Sequence, residues 1–243
     1  MNEQHFASVY DALMEDVPYN QWMIYTKKFL KERSRILDLA CGTGTLAILL
    51  QKQGYVVQGA DISQHMLTIA EEKVRNEKTL IPLFQQDMRT LEGFHDLDGV
   101  TLFCDGLNYL REEDDVQDTF SRVATALRTG GVFLFDVHTT YKMVNIFLDQ
   151  LYGENGEDIS YLWFCSPGEE KFSVEHSLTF FVKQANGSYE RMDEELYQRT
   201  FPQEFYIHWL EKAGFHEIEV TSEFGESTPS ETDERLFFKA VKK

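Results

Sequence analysis

Asp38-Leu39-Ala40-Cys41-Gly42-Thr43-Gly44 places an acid, then two glycines, at the end of a short apolar run. Gly42 and Gly44 let the backbone turn tightly and approach a ligand with no side chain in the way, and a helix starting just after them presents free N–H groups. Gly42-Thr43-Gly44-Thr45-Leu46-Ala47 also satisfies the G-x-G-x-x-A pattern of dinucleotide sites, and Asp61 ends the next apolar run, where an acid accepts hydrogen bonds from ribose hydroxyls. Asp38 separates the two chemistries. A carboxylate inside a strand is costly to bury unless it meets a cation or strong donors, and it would repel a pyrophosphate. The pattern therefore favours a ligand with a cationic amino-acid end over NAD.

These residues need a frame. Arg35 to Ala40 reads as a strand and Thr45 to Gln53 as a helix stopped by Gly54. The alternation recurs: strand Tyr55 to Ala60, helix Ser63 to Asn76, strand Ile81 to Gln86, strand Leu97 to Phe103 and helix Glu113 to Leu127. Arg128-Thr129-Gly130-Gly131 ends that helix, and strand Val132 to Asp136 follows. Strands alternating with helices predict a parallel sheet covered on both faces. From Tyr161 to Arg199 the texture changes: Phe172, Val174, Leu178, Phe180 and Val182 fall on alternate positions, and Asn186-Gly187 marks a hairpin. Helix Gln203 to Ala213, capped by Gly214, leads into strands Glu217 to Glu223 and Arg235 to Val241, a closing antiparallel hairpin. The expected organisation is a core of residues 1–140 and 200–243, with 141–199 as an antiparallel β insertion or substrate cap over the strand ends.

The first motif resembles that of class I S-adenosylmethionine-dependent methyltransferases. The resemblance extends to Gly59-Ala60-Asp61-Ile62-Ser63 with Met66-Leu67, to Gln86-Asp87-Met88 and to Leu127-Arg128-Thr129-Gly130-Gly131, in family order. It implies an α/β, Rossmann-like, mostly parallel seven-stranded sheet and S-adenosyl-L-methionine as cofactor. It further implies that Asp38, Ala40, Gly42 and Gly44 form the cradle, that Asp61 holds the ribose, that Ile62 and Met88 sandwich the adenine, and that Asp87 accepts from its exocyclic amine. The stretch Tyr10-Asp11-Ala12-Leu13 through Pro18-Tyr19-Asn20-Gln21-Trp22 is similar to the leading segment of small-molecule members, which makes Tyr10 and Trp22 cofactor-site candidates; their alternative is a helix packing rings on the sheet.

The implied reaction is displacement of a sulfonium methyl group by a nucleophile lined up opposite the sulfur, for which the protein mainly aligns the reactants. His138, after the fifth strand, is the candidate base, with a turn role as its alternative. Tyr109, and with it Asn108, follows the fourth strand, where Tyr109 would line the sulfonium pocket or bond the substrate. His176 reads as a satisfied core histidine. Tyr161, Trp163, Phe172, Phe180, Phe181, Tyr189 and Tyr197 hint at an aromatic pocket for an apolar or cationic acceptor.

Composition narrows the classes. Asp and Glu outnumber Lys and Arg by 41 to 23, for a net charge of −18, which disfavours nucleic acid and anionic membrane surfaces. The first residues lack a leader pattern and no apolar run reaches the length of a span, so a cytoplasmic chain is expected. Cys41, Cys104 and Cys165 read as free thiols, no metal spacing is present, and neither a G-x-S-x-G elbow nor a phosphate loop occurs. The leading expectation is an enzyme methylating a small molecule. An S-adenosylmethionine-binding module without catalysis and an NAD-dependent oxidoreductase are the alternatives, and a homodimer through the insertion sheet is left open.

Overall fold

The computed structural model describes residues 7–243 except Ser8, Ala12 and Glu15. The reading of the N-terminal hexapeptide, and Ala12 of the leading motif, lie outside the described residues. Helix α1 (Tyr19–Phe29) precedes β1 (Arg35–Leu39), α2 (Thr45–Lys52), β2 (Val56–Asp61), α3 (Gln64–Asn76) and β3 (Leu83–Gln85). Then come β4 (Leu97–Leu102), α4 (Glu113–Ala126) and β5 (Leu127–His138), and, after the insertion, α5 (Gln203–Lys212), β10 (Phe215–Thr221) and β11 (Arg235–Lys242).

The main sheet has seven strands in the order β10-β11-β5-β4-β1-β2-β3, with β11 antiparallel to β10 and β5, and β5, β4, β1, β2 and β3 paired in parallel. Alternate residues of the central strands feed opposite faces. Leu37 and Leu39 of β1, with Phe133 and Phe135 of β5, pack on the side of α4 and α5. Ile36 and Leu134 pack on the side of α1 and α2. Both faces are buried, which is why these strands read as continuous apolar runs. Phe135 stacks on Phe238 of β11 at 4.6 Å and on Phe133 at 4.8 Å. Each such ring contributes about 1.5–3 kcal/mol through burial.

Strand order reverses between β1 and β4, leaving a crevice beyond their carboxyl ends, where open α/β sheets take ligands. A second sheet of four antiparallel strands, β6 (Leu151–Asn155), β7 (Ile159–Pro167), β8 (Ser173–Lys183) and β9 (Tyr189–Arg199), lies between β5 and α5 in the chain. Gly187, with φ 82°, turns the expected β8–β9 hairpin.

Three elements differ from the sequence reading. β6 carries no alternating pattern because it is an edge strand whose residues are mostly exposed. β3 is only three residues long, paired to β2 alone. β5 runs from Leu127 to His138, because β4 pairs with it on both sides of Arg128–Gly131 across a register shift, and because β11 continues the ladder as far as His138. That extension carries His138 to the site.

Candidate functional site

The glycine turn is built from left-handed backbone: Ala40, Gly42 and Gly44 have φ of 54°, 54° and 76°. At Gly44 a Cβ would also lie 3.1 Å from Ala70 Cβ, so the turn packs directly on α3. Asp61, at the end of β2, holds the turn from the side. Its Oδ2 accepts from Gly42 N at 2.7 Å and its Oδ1 from Ser63 N at 2.8 Å. Thr43, Thr45 and Asp11 converge on Lys73 of α3, whose ammonium lies 2.6 Å from Thr45 Oγ1 and 2.9 Å from Asp11 Oδ2, tying the N-terminal segment to the turn.

Asp38 is 3% exposed. Its Oδ1 accepts from Thr101 Oγ1 at 2.8 Å, while its Oδ2 is buried without a partner. Burial first, then the nearby Asp61 carboxylate, pushes its pKa up to about 7. A buried carboxylate oxygen left without a donor is destabilising unless a ligand supplies one.

Around these residues lies a cavity of about 400 Å³. Of the sequence-predicted cofactor residues, Tyr10, Asp38, Ala40, Gly42, Asp61, Ile62 and Met88 line it. Ile62 is 59% exposed, an apolar side chain turned to open space. Gly44 stands behind the turn as the N-cap of α2. Asp87 does not line the cavity: it caps the turn Met88–Thr90 and pairs with Arg89 at 2.6 Å, which lowers its pKa. Trp22 does not line it either. From α1 its ring packs edge-on to Phe224, and its Nε1 donates to Asp136 Oδ2 at 3.4 Å. Asp38, Asp61, Glu194 and Glu195 all belong to the lining, Glu195 with its carboxylate bonded by Ser177 Oγ at 2.8 Å, and none of the described lining residues is basic. A ligand with an ammonium and a sulfonium suits these walls, and the partnerless Asp38 Oδ2 fits the ammonium.

A second cavity, of about 890 Å³, adjoins the first; Tyr10, Cys104, Tyr109 and Leu196 belong to both. The septum is strained, since Cys104 and Asp105 each hold φ of 53°. Tyr109 is 43% accessible yet is desolvated, its phenol pKa raised by burial and by Asp105, so its accessible surface faces the cavities. Trp22, Phe147 and Trp163 line the second cavity, as do His138 and His176.

Its polar groups form one network. Arg235 spans two carboxylates, bonding Asp105 Oδ1 at 2.9 Å and Asp136 Oδ2. Gln198 Nε2 donates to Asp105 Oδ2 at 2.7 Å, and His138 Nε2 lies 3.5 Å from the same oxygen. Trp163 Nε1 donates to His176 Nδ1 at 3.0 Å, leaving His176 Nε2 to donate to Gln198 Oε1 at 3.2 Å. His176 is thus satisfied at both nitrogens while it lines the cavity. His138 is 4% exposed and its Nδ1 has no partner. Burial lowers the pKa of each histidine to about 4, Arg235 and Lys142 adding to the effect at His138, so both are neutral at physiological pH. Asn108 is a brace: its Oδ1 accepts from His138 N and its Nδ2 donates to Arg199 O, both at 2.9 Å.

Asp105, Asp136, Gln198 and Arg235 escaped the sequence reading. An acid shortly after β4 and a basic residue opening the last strand were the available signals, and neither belongs to a pattern.

Comparison with known proteins fits this geometry. A methyltransferase-domain family model matches residues 36–131. The chain is 48% identical to GWCH70_2453 of Geobacillus sp. (strain WCH70) over 100% of both chains, and 45% identical to YqeM of Bacillus subtilis (strain 168) over 98% of this chain and 96% of the other; both bear methyltransferase names. A crystal structure of an S-adenosylmethionine-dependent methyltransferase from Clostridium acetobutylicum ATCC 824 superposes with a TM-score of 0.87 at 28% identity, covering 98% of each chain. With its glycine turn, reversed strand order and full-length relatives, this chain belongs to the class I S-adenosylmethionine-dependent methyltransferases.

Proposed function

We infer that the first cavity holds S-adenosylmethionine and that the second holds a small-molecule acceptor, with methyl transfer through the septum of Tyr10, Cys104, Tyr109 and Leu196. The observation that carries this reading is the shared wall itself: two cavities meeting at the carboxyl ends of β1 and β4 bring two ligands end to end. The cofactor supplies an activated methyl group. Asp38 binds the ligand's ammonium, Asp61 fixes the turn and faces the ribose, and Ile62 and Met88 flank the adenine. Asp87 sets the conformation of the Met88 turn through Arg89, and Trp22 packs beneath the acceptor.

Tyr109 orients the acceptor, with its hydroxyl held by Gln198. His138 Nδ1 is available as a hydrogen-bond acceptor once a substrate reaches it. Residues 141–199 act as a cap, since β9 supplies Glu194, Glu195 and Leu196 to the cofactor cavity and Gln198 to the network. Aligning two reactants in this way is worth about 7–11 kcal/mol, which explains a site richer in positioning groups than in bases. No described helix is long and apolar enough to cross a membrane, and all three cysteines are free, which supports work in the cytoplasm.

Calorimetric titration with S-adenosylmethionine, S-adenosylhomocysteine and NAD tests the cofactor assignment. Both adenosyl ligands should bind, NAD should not, and Asp61→Ala should weaken both adenosyl ligands. Binding of NAD alone would overturn the reading.

A further inference from the structure

The charges around the septum speak to the acceptor. Asp38, Asp61 and Glu194 line one side, and Asp105 stands on the other. Their field is felt at the septum: Asp105 and Asp61 raise the pKa of Tyr109, and Asp136, Asp105 and Asp38 raise that of Cys104, in each case on top of burial. In the second cavity the two lining cations are already engaged. Arg235 lies between Asp105 and Asp136, and Lys142 sits 3.4 Å from Glu234 and over the Phe147 ring. No described cation in that cavity is left to receive a carboxylate or a phosphate.

Resting on the two-cavity reading above, we propose that the acceptor is an amine carried on a largely apolar body, whose uncharged nitrogen attacks the methyl group. An anionic site distinguishes acceptors by where charge goes. When an amine lone pair forms the N–C bond, the C–S bond breaks and its electron pair stays on sulfur. One positive charge leaves the sulfonium and reappears on the methylated nitrogen, on the far side of the transferred carbon, and no proton moves in that step. The carboxylates that stabilise the reactant charge stabilise the product charge equally well. The amine enters as the ammonium that prevails in water, drawn by the carboxylates, and gives up one proton to solvent before its lone pair attacks.

The other acceptor classes fit worse. A carboxylate acceptor would be repelled on entry, and its reaction would annihilate the charge for which the site is built. A hydroxyl acceptor would have to shed its proton as it reacts. His138 Nδ1, partnerless in the cavity, is kept weakly basic by burial and by the charges of Arg235 and Lys142, while both His176 nitrogens are occupied. As a lone-pair acceptor, His138 Nδ1 instead receives an amine N–H. Trp22, Phe147 and Trp163 supply the apolar wall.

The test is calorimetric titration of the full chain, saturated with S-adenosylhomocysteine, with benzylamine, benzyl alcohol and benzoate at mildly alkaline pH. Benzylamine should bind about tenfold more tightly than either of the others. That preference should shrink in Asp105→Asn, and also in the exposed pair Glu223→Gln with Glu234→Gln, which leaves the buried network intact. Equal or tighter binding of the alcohol or of benzoate overturns the proposal, as does a preference unchanged in both variants. If Asp105→Asn no longer binds S-adenosylhomocysteine, the exposed pair decides alone. Failure of the unaltered protein to take up S-adenosylhomocysteine would instead strike the two-cavity reading.

Discussion

Arg235 lies directly opposite His138 in the antiparallel β5–β11 ladder, and its guanidinium bridges Asp105, three residues past β4, to Asp136 of β5. One residue of the last strand therefore compensates both carboxylates, of which Asp105 borders the second cavity. Burial and Asp105 raise the pKa of Asp136, while Arg235 pulls it down. Arg235→Met, which keeps length and removes charge, should destabilise the fold by about 3–5 kcal/mol, because two buried carboxylates lose their partner. Urea denaturation measures this; a loss below about 1 kcal/mol would mean that the guanidinium is replaceable by water.

His138 and His176 should stay neutral far below the usual histidine range. Of the seven histidines, these two should begin to titrate only near pH 4 when followed by nitrogen-detected NMR. The linked stability has a definite sign. The unfolded chain takes up protons below about 6.5 and the folded chain does not, so this contribution is complete above 6.5 and is lost as the pH falls towards 4. Titration of either near 6.5 would contradict the buried network.

Gly44→Ala should strike the turn. The new Cβ would require φ of 76° from an L residue and would meet Ala70 Cβ at 3.1 Å. A cost of about 1–3 kcal/mol in stability is expected, together with weaker cofactor binding, since Gly44 opens α2. Thermal unfolding with and without S-adenosylmethionine separates the two effects; an unchanged midpoint would show that the turn has slack.

Lys73 should anchor the N-terminal segment, because its ammonium joins Asp11 to Thr43 and Thr45. Lys73→Met should speed amide exchange around Tyr10 while leaving β5 and β11 unchanged. Uniform exchange across the chain would place the effect elsewhere.

The contrast between Gly44 and Arg235 shows what was legible in the sequence. The turn depends on local backbone needs, and glycines and a strand-end acid announce those within a few residues. The alternating helices and strands were equally readable, because burial on two faces leaves a continuous apolar run. The charged network joins residues 130, 99 and 93 positions apart, each an ordinary residue in its own segment. Trp22 and Asp87 were readable as candidates but not as geometry: one packs under the second cavity and the other is held by Arg89. Tyr161 and Trp163 of the aromatic hint line the second cavity, whereas Tyr189 is 53% exposed.

The most direct test concerns Asp38, whose unpartnered oxygen is assigned to the ligand's ammonium. Its folded pKa of about 7 exceeds the unfolded 3.8, so its contribution to the stability of the ligand-free fold is present below 3.8 and is lost as the pH rises through about 7. A cationic ligand selects the ionised form. Calorimetry should therefore show S-adenosylmethionine affinity falling up to about tenfold per pH unit below that value and levelling off above it, with Asp38→Asn binding more weakly and without this dependence. Equal affinity at pH 5 and pH 8, or an Asp38→Asn variant that binds as well as the original, would contradict the account.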